Sequence, residues 1–568
     1  MKKSISFLLG LWAALSLAGC STNNKAAQEE VNVIVAADLH FDLLPETDQY
    51  FHVVTMNRLP GQFNFPGEQK AIDKIDGVII AGDIFDKARP EILDLYRQRY
   101  ETGEGERRIH YPVYPGLGNH DVDPAVSDKG ADNLKGRALT FNYLDSILND
   151  KLAKGEILNL HPSSRSYSWN IGKVHFIQGQ RFAGDTAYCE SNLAWLADDL
   201  KRYASAGNPV VYIQHYGFDE WAIKWWPQSS RNQLFDLLDQ YNVAAFLVGH
   251  THVPSIQHYR GYPIYQVNNA WPDEDGNGSF AVVRIKDDQV AIASCRWKDG
   301  EGNFEVVEPY INDSLPRVID HKIHYNAFSH NDYWRENPLF DALAFRYNCV
   351  EADLWPINGE LYVSHERPKA DPAITFRHLY LDPLIERLKA NGGKIYPESD
   401  RPFYLMVDCK EKGEEIYKLL KEQMSPYKDY FCRIENGEYK EGAILFFLSG
   451  DRPMKSLPNE STRFTFLDGQ VKDLGKAVPS TLAPVVSDNY AAFFTWDGQG
   501  QMPDDQLIRM REIIQQVHQE GKLFRWWGAP DTEVFKRFFI KEGVDLVGAD
   551  DLNGLYNVLC DINKVNKK

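Results

Sequence analysis

Gly118-Asn119-His120-Asp121 sets an amide, an imidazole and a carboxylate side by side. Alone it is a turn. Four further islands of similar side chains stand at wide intervals in the first half of the chain: Asp38-Leu39-His40, Gly82-Asp83, His215 and Gly249-His250-Thr251-His252. Mixed oxygen and imidazole donors suit divalent metals. A pair of such ions roughly 3.5–4 Å apart clamps a phosphoryl group and acidifies the attacking water, provided one carboxylate can bridge them. A lone histidine is more often structural than a ligand, so His52, His110, His161, His175 and His258 stay outside the candidate set.

Distant islands act together only if rigid elements aim them into one cleft. Each island follows a short apolar or β-branched run, at 31–37, 77–81, 112–117, 210–213 and 244–248. Ligands on loops leaving strand ends satisfy that requirement. Helical segments at 125–148, 192–203 and 232–241 alternate with these runs, and strand-like stretches follow at 262–267, 279–285 and 289–295. The pattern predicts an α/β sandwich of two stacked sheets with helices outside, over 31–300.

The five islands, in this order, resemble the calcineurin-like metallophosphoesterase family over roughly 31–300. The resemblance implies two divalent transition metals (Mn, Fe or Zn). It implies that Asp38, His40 and His252 hold one, that Asn119, His215 and His250 hold the other, and that Asp83 bridges them. His120 becomes the non-ligand that stabilises the phosphate or protonates the leaving oxygen, and Asp121 the carboxylate that orients it. Ile84-Phe85-Asp86-Lys87 after Asp83 lacks the Asp-Arg-Gly of protein Ser/Thr phosphatases. It also lacks the tyrosine of purple acid phosphatases, which disfavours both subfamilies. The aromatic segment 216–227 after His215 either stacks on a sugar or cyclitol face or packs as a cap.

Beyond a polar, Pro- and Gly-containing linker at 301–320, eight strand-like runs occupy 323–329, 348–354, 403–409, 443–449, 463–467, 491–496, 522–526 and 544–549. Eight such units over 321–568 match a (β/α)₈ barrel. Polar residues stand at strand C-terminal ends: His330-Asn331, Glu351-Ala352-Asp353, His365 and Asp408-Cys409-Lys410. Residues i and i+2 on a strand share a face, so Glu351 joins Asp353, and Asp408 joins Lys410. Asn331 with these three carboxylates makes an oxygen-rich set suited to Ca²⁺ or Mg²⁺. This half resembles the superfamily of phosphatidylinositol-specific phospholipases C and glycerophosphodiester phosphodiesterases. The resemblance implies His330 and His365 as catalytic pair and Asn331, Glu351, Asp353 and Asp408 as metal ligands. Asn331 stands where glycerophosphodiesterases carry Arg, and Asp408 where Glu is usual. Trp334, Trp355, Trp496, Trp526 and Trp527 lie near strand ends, as mouth or as packing.

Lys2 and Lys3, an apolar run at 5–17 and Leu17-Ala18-Gly19-Cys20 read as a secretory signal over 1–19. The last four residues resemble the bacterial lipobox, which implies lipidation of Cys20, a polar tether at 20–30 and a lipid-anchored location in the cell envelope, periplasmic or outer-membrane. The six later cysteines form no Cys-x-x-Cys pair, and those at 349 and 409 sit inside strands. The composition, 43% hydrophobic and 25% charged, is that of a globular protein, and 568 residues are too many for one ordinary core, so two domains are expected. A net charge of −18 with no long basic run disfavours nucleic acid as partner.

The expectation is therefore a lipid-anchored hydrolase with two phosphoester sites, acting on small inositol- or glycerol-type phosphoesters or a lipid head group. A barrel that only binds the head group is the alternative.

Overall fold

Val31, Val33 and Val35 alternate with Ile34 and Ala36 along strand Glu30–Ala36, so the strand is apolar on both faces and must be covered on both. The computed structural model describes residues 30–42, 50–123, 130–219, 221–271, 278–317 and 322–565, with side chains omitted at 130–133 and 564–565. Cys20 and the expected signal segment lie outside the described residues.

Glu30–Ala36 sits inside a six-stranded sheet whose order is Phe304–Ser314, Gln289–Trp297, Ser279–Lys286, Glu30–Ala36, Gly77–Ile80, Val113–Tyr114. A second sheet of seven strands runs Asn159–Leu160, Tyr167–Ile171, Val174–Gln178, Val210–Ile213, Val243–Val248, Tyr262–Gln266, Ser255–Tyr259. Val31, Val33, Val35 and Ile79 of the first sheet pack with Trp169, Phe176, Val211 and Leu247 of the second to form the sandwich core. Ile34, Ala36, Val78 and Ile80 face the other way, onto helices Phe51–Arg58 and Pro90–Tyr100. The two-sheet sandwich expected from the alternation is present.

Most of the described part of the expected linker at 301–320 is a strand. Phe304–Ser314 pairs antiparallel with Gln289–Trp297 as the edge strand of the first sheet. Its burial is intermediate, as an edge strand's is, which left little apolar signal in the sequence.

In the second half, eight parallel strands follow one another in chain order around a nearly closed ring: His324–Ser329, Tyr347–Ile357, Phe403–Cys409, Ile444–Gly450, Phe466–Gly469, Val485–Asn489, Leu523–Trp527 and Val547–Ala549. A bridge between Arg525 and Leu546 joins the last pair. Seven runs fall where the sequence placed them, to within a few residues. The run expected at 491–496 does not: Val485–Asn489 is the strand, and Tyr490–Phe493 is a helical turn that Asn489 caps by accepting a hydrogen bond from Ala491 N. Aromatic and apolar residues after the cap misled the periodicity, because they bury against Trp526 and Phe535 rather than in a strand.

The two halves share one continuous apolar core, which runs from Tyr212 and Phe246 through Tyr259 to Phe345 and Tyr347. Among the described residues no helix is long and apolar enough to cross a membrane.

Candidate active sites

Asp38 and His40 leave the C-terminal end of Glu30–Ala36, Asp83 leaves Gly77–Ile80, His215 leaves Val210–Ile213, and His250 and His252 leave Val243–Val248. Loops from both sheets therefore meet at one end of the sandwich. Asp38, His40 and His252 bring ligand atoms within 4.8 Å of one another, and so do Asp83, His215 and His250. The Nε2 atoms of His40 and His252 are 3.1 Å apart, and His252 Nε2 lies 3.4 Å from Asp38 Oδ1. Two imidazole nitrogens and a carboxylate converging on one space are the donor set of a cation site. On the other side, His215 Nε2 lies 3.1 Å from Asp83 Oδ2 and 3.0 Å from Asn119 Oδ1. His215 Nδ1 bonds the Ala81 carbonyl at 2.9 Å, which leaves Nε2 for the centre. His40 Nε2 is 3.9 Å from Asp83 Oδ2, so Asp83 stands between the two groups, where a bridging carboxylate belongs.

Electrostatics agree with that donor set. Burial alone would raise the Asp83 carboxyl, but His215, His120 and His40 hold it well below the usual carboxylate range. Burial likewise lowers His40 to about 4, and burial with the nearby His215 lowers His250 to about 4, so both imidazoles stay neutral. Against burial, Asp83 and Asp38 push His215 up to about 9, which marks a place where two carboxylates demand positive charge. Ionised carboxylates and neutral imidazoles are the metal-ligating forms, so His215, and His252, which Asp38 also raises against burial, would give up their protons to a bound cation.

The backbone is strained at the same place. Asp38, His40, Asp83, His250 and His252 have φ of 51°, 42°, 53°, 89° and 57°. Such conformations cost of order 1–3 kcal/mol each and persist at functional sites where the surroundings over-determine them. The glycines of the motifs answer to contact. A Cβ on Gly118 would meet Asp83 Oδ1 at 2.1 Å, and one on Gly82 would meet His215 Nδ1 at 2.5 Å.

Asp121 does not orient His120. Its carboxylate accepts hydrogen bonds from the backbone N–H groups of Gly118, Ile84 and Phe85, at 2.9, 3.1 and 3.2 Å. Burial and the nearby Asp83 charge raise its carboxyl to about 7. Adjacent residues of the helical turn Asn119–Val122 point in different directions, so Asp121 reaches back to the loop while His120 faces the centre. The carboxylate beside His120 is Asp86, whose Oδ1 is 3.3 Å from His120 Nδ1. Asp86 belongs to none of the five islands, so nothing in the sequence pairs it with His120.

The aromatic segment divides. Trp226 is buried under the cap, bonding the Ala183 carbonyl, whereas Tyr216 and Trp225 stand 4.7 and 6.0 Å from the His250 ring. Of the histidines set aside, His175 lies buried against Asp199 and Asn170 within the fold, and His52 is buried without a hydrogen-bond partner.

At the barrel mouth, His330 Nδ1 lies 2.8 Å from Asp550 Oδ1, a partner the sequence did not announce because it comes from the last strand. His330 Nε2 is then 3.9 Å from Glu351 Oε2. His365 Nδ1 lies 3.3 Å from Asp353 Oδ2, which also accepts from Tyr333 at 2.6 Å. The Tyr333 hydroxyl lies 2.7 Å from Asn331 Oδ1, and burial and Asp353 push its pKa far up. Asn331 has φ 45°. Lys410 binds Asp353 Oδ2 at 2.7 Å and Asp408 Oδ2 at 2.8 Å, so Asp408 is engaged by an ammonium. Asp353 Oδ1 is buried without a hydrogen-bond partner. Trp334 is exposed 5.4 Å from His365, while Trp496 and Trp526 pack in the core. The six described cysteines are free thiols, five of them buried.

Comparison with known proteins agrees with both halves. Residues 31–254 match the calcineurin-like phosphoesterase family, and residues 317–468 match the AIM6-like phosphodiesterase domain. Altered inheritance of mitochondria protein 6 homolog of Arthroderma benhamiae is 29% identical over 273 residues, covering 43% of this chain and 85% of that protein. Altered inheritance of mitochondria protein 6 of Kluyveromyces lactis is 27% identical over 299 residues, covering 41% and 71%. A dimetal phosphatase from Danio rerio aligns over 50% of this chain and 98% of its own at 12% identity, with a TM-score of 0.32, too low to add to the assignment. The chain carries a calcineurin-like phosphoesterase domain followed by an AIM6-like phosphodiesterase domain, and it is a metal-dependent phosphoester hydrolase.

Proposed function

We propose that this protein is an envelope phosphoesterase, tethered through lipid on Cys20, with two working sites. The barrel cleaves an inositol- or glycerol-type phosphodiester, and the sandwich domain hydrolyses the resulting monoester or a second diester. The observation that carries this reading is shared by both sites: each presents a histidine backed by a carboxylate beside a cluster of acidic ligands. The pairs are His120 with Asp86, His330 with Asp550 and His365 with Asp353.

Bound at Asp38, His40 and His252 and at Asn119, His215 and His250, with Asp83 between, divalent transition metals would supply the clamp on the phosphoryl group and the acidity of the attacking water. The chain's own part is to hold His120, through Asp86, where its imidazole can donate to the leaving oxygen. In the barrel, Asp550 fixes the Nδ1 side of His330, so that Nε2 faces the mouth near Glu351. His365 and Tyr333 share Asp353. His330 and His365 then serve as base and acid across the diester. The donors Asn331, Glu351 and Asp353, with the unpaired Asp353 Oδ1, suit Ca²⁺ or Mg²⁺; Asp408 would have to leave Lys410 to join them.

The Lys410 ammonium between Asp353 and Asp408 favours a second reading, in which the barrel only binds a phosphorylated head group. One experiment separates the two. On the first reading, His330→Ala blocks cleavage of glycerol and inositol phosphodiesters and spares p-nitrophenyl phosphate, while His120→Ala does the reverse, each by about 10²–10⁴-fold. If His330→Ala and His365→Ala leave every diester activity untouched, the barrel is a binding module. Palmitate labelling lost in Cys20→Ser tests the anchor.

A further inference from the structure

Beside the dinuclear centre a cavity of about 590 Å³ opens on the far side of His120. His120 and Asp86 are among its lining residues, and the centroid of the His120 ring stands 4.7 Å from that of His40. His120 therefore borders both the cavity and the candidate metal-ligating residues. Its size is that of a small-molecule site.

The charge lining it runs against the rest of the chain. Acidic residues outnumber basic ones 80 to 62 overall, yet the lining contributes Lys87, Arg89, Lys135 and Arg137 against Asp42, Asp86 and Asp121. The three carboxylates are engaged within the fold. Asp121 takes the three backbone N–H groups described above, Asp86 lies against His120, and Asp42 bonds Arg89. Lys87 stands 3.6 Å from Asp86, and Arg137 gives one N–H to the Val122 carbonyl at 3.2 Å. The cationic side chains stand on two elements, the loop after Asp83 and the helix Gly130–Lys154, which approach each other closely at Ala88 and Gly136, and Phe85 and Leu139 add apolar lining. A lining that mixes cationic and apolar side chains fits a short carbon skeleton carrying an anion.

We infer that this cavity is a subsite for a second anionic group, a phosphate or carboxylate, on a small substrate whose scissile phosphate sits at the dinuclear centre. The inference rests on the proposed catalytic use of that centre. It makes the preferred substrates of the sandwich domain organic bisphosphates or phosphorylated acids rather than simple monoesters. Lys and Arg contacts to phosphate are charge-assisted and among the stronger hydrogen bonds.

The test compares propane-1,3-diol bisphosphate with propyl phosphate on the full-length, metal-loaded protein, both followed by phosphate release. Wild type is expected to favour the bisphosphate by about 10-fold or more in kcat/KM, chiefly through KM. Lys87→Ala and Arg137→Ala should each reduce that ratio several-fold, Arg137→Lys should keep part of it, and the double alanine variant should bring it near one. A wild-type ratio near one, or variants that retain the full preference, overturns the subsite while leaving the dinuclear reading intact. A wild type inactive on both compounds overturns the catalytic reading and the subsite together.

Discussion

At the residue scale, two acids near His120 have separate work. Asp86 faces the imidazole, whereas Asp121 satisfies three backbone N–H groups that would otherwise be buried without partners. Asp86→Asn should therefore lower kcat for phosphomonoesters about 10- to 100-fold, the usual loss for a residue that positions a functional histidine, with Tm unchanged. Asp121→Ala should instead destabilise by about 2 kcal/mol or more, since stranded buried donors cost roughly 1–3 kcal/mol each. Calorimetry and steady-state kinetics on the two variants check the division. The side chains that converge at the end of the sandwich were legible in the sequence, because each carries its own chemistry at the end of an apolar run. The sequence did not show which carboxylate serves His120. Asp86 and Asp121 are both near in sequence to site residues, and side-chain direction in the turn Asn119–Val122 decides between them. Asp550 escaped for a related reason: 220 residues separate it from His330, and only ring closure joins them.

At the element scale, the site depends on how closely two loops approach. Gly118 is no ligand, yet its Cα lies where a methyl would strike the Asp83 carboxylate at 2.1 Å. Gly118→Ala is thus expected to displace Asp83 and strip metal from the centre while far-UV circular dichroism stays native. Metal analysis of the purified variant checks this, and retention of full metal content would show that the loop yields. The elements themselves were legible where burial imposes a period. Phe403–Cys409 falls on the run expected for it, since a barrel strand is apolar on both faces. Phe304–Ser314 was read as linker because an edge strand is only partly covered and its side chains carry no such pattern. Val485–Asn489 was displaced in the reading because the Asn489 cap turns the chain just before an aromatic cluster.

At the scale of the molecule, the two halves are bound by polar as well as apolar contacts. Asn232 donates to Asp341 at 2.9 Å, Gln228 N to Glu336 at 2.6 Å and Asn553 to the His258 carbonyl at 2.7 Å, while the Tyr259 and Phe345 rings meet edge to face at 5.4 Å. Gln228 follows the aromatic segment that leaves His215 and opens the helix Gln228–Leu238, and Glu336 follows the loop of His330 and Tyr333, so the surroundings of the two sites touch. Burial raises the Asp341 carboxyl to about 6 from 3.8. Below about pH 4 folded and unfolded chains both hold that proton. Between 4 and 6 only the folded chain retains it, so stability falls as pH rises through this window and stays lower above it. Asp341→Asn should flatten the slope, removing up to about 3 kcal/mol of pH dependence. Urea unfolding of both proteins from pH 4 to 7 measures it, and equal slopes would contradict the burial cost assigned to Asp341. The metal content of the sandwich domain is the most direct test of the dinuclear centre. Inductively coupled plasma mass spectrometry of dialysed protein, read beside phosphoester hydrolysis, should find about two transition-metal ions per chain in wild type. In a folded Asp83→Ala variant it should find one or none, with activity of that domain on p-nitrophenyl phosphate down by about 10³-fold or more. A chelated, metal-free protein or an Asp83→Ala variant that hydrolyses this phosphoester as fast as wild type would contradict it.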